Sequence, residues 1–151
     1  MVLIIGILAA IALPQYKKSV EKARFVEPRE WTRRIYEAEK AFYLANGTWG
    51  HDMQALPVDF PPGTQYSMNE SFGSAQLPNG GLKFSFNKNN NSIQYNYKNV
   101  LFTLYLEDGT LYCYFHVGDD RPAKKAFCLK LVPSGEKCTS STACLVARFS
   151  K

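Results

Sequence analysis

Residues 1–18 read MVLIIGILAAIALPQYKK, and this stretch decides the fold. Residues 1–13 carry no polar side chain, and they run directly into a proline, a glutamine, a tyrosine and two lysines. As an α-helix, residues 1–13 would be about 20 Å long, whereas the hydrocarbon core of a bilayer is about 30 Å thick. The stretch as it stands is too short to cross a membrane.

Three kinds of segment fit so apolar a run. A secretory signal peptide has a cleavage site like Ala10-Ile11-Ala12, but it also has a basic stretch before its apolar core, and none is present here. A buried core helix with no polar face needs protein on every side, which a domain of 151 residues seldom gives its first helix. The third is the end of a longer apolar helix, because about eight more residues would give ~31 Å, the thickness of a bilayer core. We expect the third.

One unbroken stretch carries a family resemblance: Gly6-Ile7-Leu8-Ala9-Ala10-Ile11-Ala12-Leu13-Pro14-Gln15-Tyr16. It resembles the N-terminal signature of type IV pilins and the related pseudopilins, specifically over residues 3–16, more loosely to about Gly47 and only generally beyond. In that family the processed chain begins further upstream, with an N-methylated residue near a glutamate, and neither is present in this sequence. The resemblance implies a filament subunit whose partners are identical subunits, the inner membrane before assembly, prepilin peptidase and the pilus assembly machinery.

By this resemblance, the residues up to the proline form the membrane anchor and later the filament core. These residues are Val2, Leu3, Ile4, Ile5, Gly6, Ile7, Leu8, Ile11, Leu13 and Pro14. Pro14 supplies no amide donor and leaves the carbonyl of Ala10 without its helix partner, so we expect a bend there. Because Gly6 also weakens the helix, we hypothesise that the stretch from Gly6 to Pro14 extends in the assembled filament, as in the pilins that it resembles.

The stretch from Gln15 to Asn46 is predicted to continue as one long helix, rich in Lys, Glu, Arg and Ala. One apolar stripe at helical spacing is expected to pack on a sheet, and its members are Trp31, Ile35, Ala38, Phe42 and Ala45. Pro28 interrupts the helix a second time and frees the carbonyl of Arg24, which predicts a second bend. Asn46-Gly47 predicts the end of the helix.

Strand patterns begin at Leu82. Leu82, Phe84 and Phe86 alternate with polar residues, and so do Ile93, Tyr95 and Tyr97. Asp108-Gly109, between the segments 102–107 and 110–117, is a strong hairpin signal. These patterns predict four antiparallel strands, with a further short strand or helical turn at 126–132.

The predicted fold is therefore α+β. A long N-terminal helix, kinked at Pro14 and Pro28, packs on an antiparallel sheet of about four strands, and a disulfide-bounded C-terminal region closes the domain. The segments are an apolar helix over 1–26 and a globular head over 27–151, in which a helix (27–46), a loop (47–81), strands (82–117) and the disulfide region (118–151) follow one another.

All four cysteines lie in the last third of the chain, at Cys113, Cys128, Cys138 and Cys144. Their spacing of 15, 10 and 6 residues does not suit a zinc site, which uses close pairs and nearby histidines. Three disulfide connectivities are open; we favour Cys113 with Cys128 and Cys138 with Cys144, because sequential loops need no chain crossing. Disulfides indicate an oxidising compartment, the periplasm or the cell exterior.

A secreted enzyme or binding domain is the rival class. Its candidate groups are His51, His116 and Lys83, with Asp119-Asp120 as a candidate metal ligand pair. Nothing in the sequence brings these residues together, so we expect no catalytic residue, no cofactor and no metal.

The formal charge of +5 permits contact with DNA through the basic loop residues Arg121, Lys124 and Lys125. That loop lacks interleaved aromatic residues, so DNA binding is not expected. The sequence predicts the structural subunit of a type IV pilus, an extracellular filament; a secretion-system pseudopilin and a minor pilin remain alternatives. Adhesion, twitching motility, DNA uptake and conduction all remain open.

Overall fold

The computed structural model describes residues 2–115, 120–133, 138 and 140–150, and of residues 2–5 and 8 it describes the backbone alone. The predicted α+β class is confirmed. The elements in chain order are α1 (Val2–Asn46), β1 (Gln65–Met68), β2 (Phe72–Gln76), β3 (Lys83–Asn87), β4 (Ser92–Tyr97), β5 (Val100–Tyr105), β6 (Thr110–Tyr114), α2 (Arg121–Leu131) and β7 (Ala143–Arg148).

Helix α1 is continuous over 45 residues and contains both Pro14 and Pro28. It ends where the sequence predicts. The amide of Gly47, at φ 72°, donates to the carbonyl of Tyr43 at 2.8 Å, and the side-chain amide of Asn46 donates to the carbonyl of Phe42 at 2.9 Å. A glycine adopts this left-handed conformation without steric cost, so the chain can turn away from the helix here.

Within the described residues the sheet contains seven strands in the order β1-β2-β3-β4-β5-β6-β7, and every neighbouring pair is antiparallel. The predicted number of four was wrong. Strands β1 and β2 lie in the segment 47–81 that was predicted as a loop, and β7 lies in the C-terminal region. The segment 126–132 was predicted as a short strand or helical turn; its residues 126–131 belong to α2, which begins earlier, at Arg121, and ends at Leu131.

One face of the sheet forms the core together with α1. Across five strands the register aligns a row of buried side chains, which are Ala75, Phe84, Tyr95, Phe102 and Cys113. The ring of Phe25 on α1 lies 4.9 Å from that of Phe102, centroid to centroid. Burial of each such large side chain contributes about 1.5–3 kcal/mol, so this row fixes where the helix sits.

Two disulfides close the C-terminal region, and they are the pairs favoured from the sequence. Cys113 on β6 is joined to Cys128 on α2, and Cys138 is joined to Cys144 on β7. They close loops of 15 and 6 residues. The first holds α2 against the sheet, and the second fixes the chain at the start of the last strand.

Candidate assembly surface

The N-terminal part of α1 presents an exposed apolar surface. We call residues 2–13 the apolar segment. Of its side chains, Ile7 is 56% exposed, Ile11 58% and Leu13 55%. Every described side chain from Ile7 to Ser19 is exposed, so this part of the helix stands clear of the core. A surface of this kind marks an interaction site, because apolar side chains gain free energy when a partner removes them from water.

The head holds α1 just beyond this exposed part, through the turn between β4 and β5. The hydroxyl of Tyr97 donates to the carbonyl of Arg24 at 3.4 Å, and the ammonium of Lys98 donates to the carboxylate of Glu21 at 2.7 Å. Lys98 and Asn99 both have positive φ, 50° and 60°, as the two-residue turn of a β-hairpin requires. The hydrogen bond from Lys98 lowers the pKa of Glu21.

The packing face of α1 is rotated from the stripe that the sequence predicts. Ile35 and Ala38 are buried, at 0% and 8% exposure. Trp31 is half-buried, stacked on Phe60 at a centroid distance of 5.5 Å, and Phe42 lies at the rim, 36% exposed. The side chain of Ala45, the last member of that stripe, is exposed.

Two polar residues occupy buried positions that the stripe did not include. The hydroxyl of Thr32 donates to the carbonyl of Pro28 at 2.6 Å. Glu39 is fully buried, and its Oε2 accepts from the amide of Gly50 at 2.8 Å, while its Oε1 has no hydrogen-bond partner among the residues that the structure describes. Burial raises the pKa of the Glu39 carboxyl, because the charged form loses its water and the backbone amides of Gly50 and His51 offset only part of that loss.

The candidate catalytic residues do not converge among the described residues. His51 lines a cleft of about 620 Å³ beside the end of α1, with its ring edge-on to Phe86 at 4.5 Å, and burial lowers its pKa. Lys83 lines a different groove, with Gln94 and Asn96. His116 lies outside the described residues.

The candidate metal ligands and the candidate DNA-binding residues lie at the start of α2 or just before it. Asp120 forms an ion pair with Lys124 at 2.9 Å at the start of α2, and Asp119 lies outside the described residues. Within the described ranges, no group of three His, Cys, Asp or Glu residues could hold a metal ion. Arg121, Lys124 and Lys125, predicted to lie in a loop, lie on α2 instead, and Arg121 and Lys125 line a pocket beside Phe115.

No family model, no curated protein and no solved structure matches this chain. In the part of the chain that the structure describes, no helix has an apolar window long enough to cross a membrane. The unbroken apolar run of α1 ends at Leu13, and Lys17 and Lys18 follow about one turn later.

Proposed function

We propose that this chain is a structural filament subunit, a pilin, and the major subunit of a bacterial type IV pilus. The observation that supports it most is the apolar segment, which projects from a closed, disulfide-bonded head with its described side chains exposed. In this proposal the segment is held in the inner membrane before assembly and lies in the filament core afterwards. The filament is extracellular, where disulfides persist.

The exposed side chains supply a driving force for assembly. Ile7, Ile11 and Leu13 are each more than half exposed, and full burial of such a side chain contributes about 1.5–3 kcal/mol relative to exposure. Each subunit both inserts its helix among neighbours and receives theirs. A contact between two different surfaces of identical subunits repeats without closing when its rotation does not form a ring, and the product is a helical fibre.

The contacts between the head and α1 suit a filament subunit. The contacts of Tyr97 and Lys98 secure α1 at Arg24 and Glu21, so the head begins about 15 Å along the helix from the end of the apolar segment. An anchored helix with a free apolar end lets the apolar parts of many subunits pack side by side while the heads remain outside.

Substitution on α1 tests this function. In cells that produce the chain, we expect Ile11→Lys to abolish surface filaments while the folded subunit still accumulates, since a charge in the filament core has no partner there. Leu44→Lys is the matched control, because Leu44 is 76% exposed on the same helix but lies at its far end, within the head. Electron microscopy of sheared filaments and quantitation of the subunit read out both variants. Equal filament numbers in the two variants would refute the proposal.

A further inference from the structure

A cluster of cations follows the apolar segment directly. Lys17 and Lys18 are exposed, Lys22 is half-buried, and Tyr16 beside them is 67% exposed. At about 100° per residue, the three lysines leave α1 within an arc of about 140°, and Tyr16 lies on the other side of Lys17. We call Tyr16, Lys17, Lys18 and Lys22 the lysine collar.

We propose that the lysine collar binds the phosphate groups of anionic phospholipids and so sets the depth at which the unassembled subunit sits in the membrane. This inference rests on the proposed function, because it concerns the subunit before assembly. It adds the chemistry of the lipid and the residues that recognise it.

Distances along the helix place the lysine collar at the level of the phospholipid headgroups. With Leu13 at the edge of the hydrocarbon, a rise of 1.5 Å per residue puts Lys17 and Lys18 about 6–8 Å above it and Lys22 about 14 Å above it. The headgroup layer on each side of a bilayer is about 5–8 Å thick, and the Debye length at physiological salt is about 8 Å. The first two lysines therefore reach the headgroups, and Lys22 still lies within the attractive field.

The local charge is complementary to an anionic surface. Between Gln15 and Arg24 the only acidic residue is Glu21, and its carboxylate is already paired with Lys98 at 2.7 Å. The stretch from Gln15 to Arg24, with three lysines and one arginine against one glutamate, therefore has a formal net charge of +3. Tyr16 has the amphipathic ring that is enriched at membrane interfaces, with an apolar body and a polar tip.

Vesicle binding of the full chain, diluted from detergent, tests the proposal. The two vesicle types are pure phosphatidylcholine and an equal mixture of phosphatidylcholine and phosphatidylglycerol. Each cation near an anionic surface strengthens binding about fivefold, so Lys17→Gln/Lys18→Gln should weaken binding to the mixture about 25-fold and binding to pure phosphatidylcholine less than about twofold. High salt should reduce the difference between the two vesicle types.

The matched control is Arg29→Gln/Lys40→Gln, which removes the same charge from exposed positions of the same helix. Arg29 lies about 24 Å beyond Leu13, which is about three Debye lengths, so binding to the mixture should change less than about twofold. Circular dichroism of all variants checks that the helix and sheet content is unchanged.

Four results would overturn the inference. Equal binding of the wild type to the two vesicle types excludes lipid-charge recognition, and it leaves the filament function intact if filaments still form. An equal loss in the control shows a general charge effect without a collar. If Lys17→Gln/Lys18→Gln reduces filament assembly but not vesicle binding, the lysines contact a second copy of the chain instead. Binding to neither vesicle type would contradict the membrane-held stage of the proposed function as well.

Discussion

The hydroxyl of Tyr97, on β4, donates a hydrogen bond to the carbonyl of Arg24, on α1, at 3.4 Å. That carbonyl would accept from the amide of residue 28 in an unbroken helix, but residue 28 is a proline and has no amide hydrogen. The sheet therefore supplies the donor that the helix lacks. Pro28 and Tyr97 thus form one matched contact between the head and α1.

Loss of the Tyr97 hydroxyl should lower the stability of the head only when Pro28 is present. We expect Tyr97→Phe to lower the free energy of unfolding by about 0.5–1 kcal/mol, the net contribution of a single hydrogen bond, and to keep the ring contact with Phe25 at 6.0 Å. In a Pro28→Ala background the carbonyl of Arg24 regains its helix donor, so the same change should have almost no effect.

A double-mutant cycle by chemical denaturation of the full chain in mild detergent measures this coupling. Tyr66→Phe is the control, because the side chain of Tyr66 is 38% exposed and its ring contacts Phe60 at 6.0 Å. An identical loss for Tyr97→Phe in both backgrounds would mean that the hydroxyl does not serve the carbonyl of Arg24.

The buried carboxyl of Glu39 should make the stability of the head depend on pH. Its pKa is raised in the folded state above the usual 4.5, so the folded state favours the protonated form. Its stabilising contribution is therefore complete below about pH 4.5 and is lost as the pH rises through the folded pKa. Glu39→Gln keeps an acceptor for Gly50 and removes the charge.

We expect Glu39→Gln to be more stable than the wild type at pH 7 and nearly equal to it at low pH, as measured by thermal unfolding over a pH series. Glu37→Gln is the control, because the Glu37 side chain is 60% exposed and paired with Arg33. A wild type that gains stability over Glu39→Gln on going from pH 4.5 to pH 7 would show that the carboxylate is favourably solvated.

Gly73 on β2 is required by a close backbone approach. A Cβ atom at this position would overlap the carbonyl oxygen of His51. We expect Gly73→Ala to destabilise the head by about 1–3 kcal/mol, since backbone on both sides has to move. Gly6→Ala adds the same atom in open space and should leave the unfolding of the head unchanged; a similar loss in both variants would exclude the steric explanation.

The two disulfides should differ in their contribution to stability. In the loop-entropy model, the 15-residue loop of Cys113 and Cys128 contributes about 3 kcal/mol, and the 6-residue loop of Cys138 and Cys144 contributes about 2 kcal/mol. Paired Cys→Ser replacements, one bridge at a time, measure both values by chemical denaturation. A larger loss from the shorter loop would indicate that packing around the sulfurs, and not loop closure, dominates.

The strands that could be predicted were β3 and β4, which alternate regularly, and β5 and β6, which flank the Asp108-Gly109 turn. Phe84, Phe86, Ile93 and Tyr95 alternate with polar residues because one face of β3 and β4 is buried and the other is not. β2 reads Phe-Gly-Ser-Ala-Gln, which is poor in strand-forming residues, and its buried small side chains are explained only by the loop that packs on Gly73. Five of the six residues of β7 are buried, on both faces of the sheet. The strand therefore shows no alternation of apolar and polar residues.

The face of α1 was the least predictable feature. A hydrophobic stripe assumes that apolar residues are buried, yet Thr32 and Glu39 are fully buried while Phe42 is 36% exposed. Thr32 is compatible with burial because its hydroxyl bonds to the carbonyl of Pro28 within the same helix. Glu39 depends on Gly50, which is eleven residues away in a loop whose path the sequence does not specify.

The central claim is that the apolar segment becomes buried only among identical segments of neighbouring subunits. Cryo-electron microscopy of native surface filaments, with mass spectrometry to identify this chain as their subunit, tests it most directly. We predict that the side chains of Ile7, Ile11 and Leu13, each more than half exposed in the single subunit, lie in the filament core in contact with other copies. Density that leaves these side chains facing solvent, or folds them against their own head, would contradict the account.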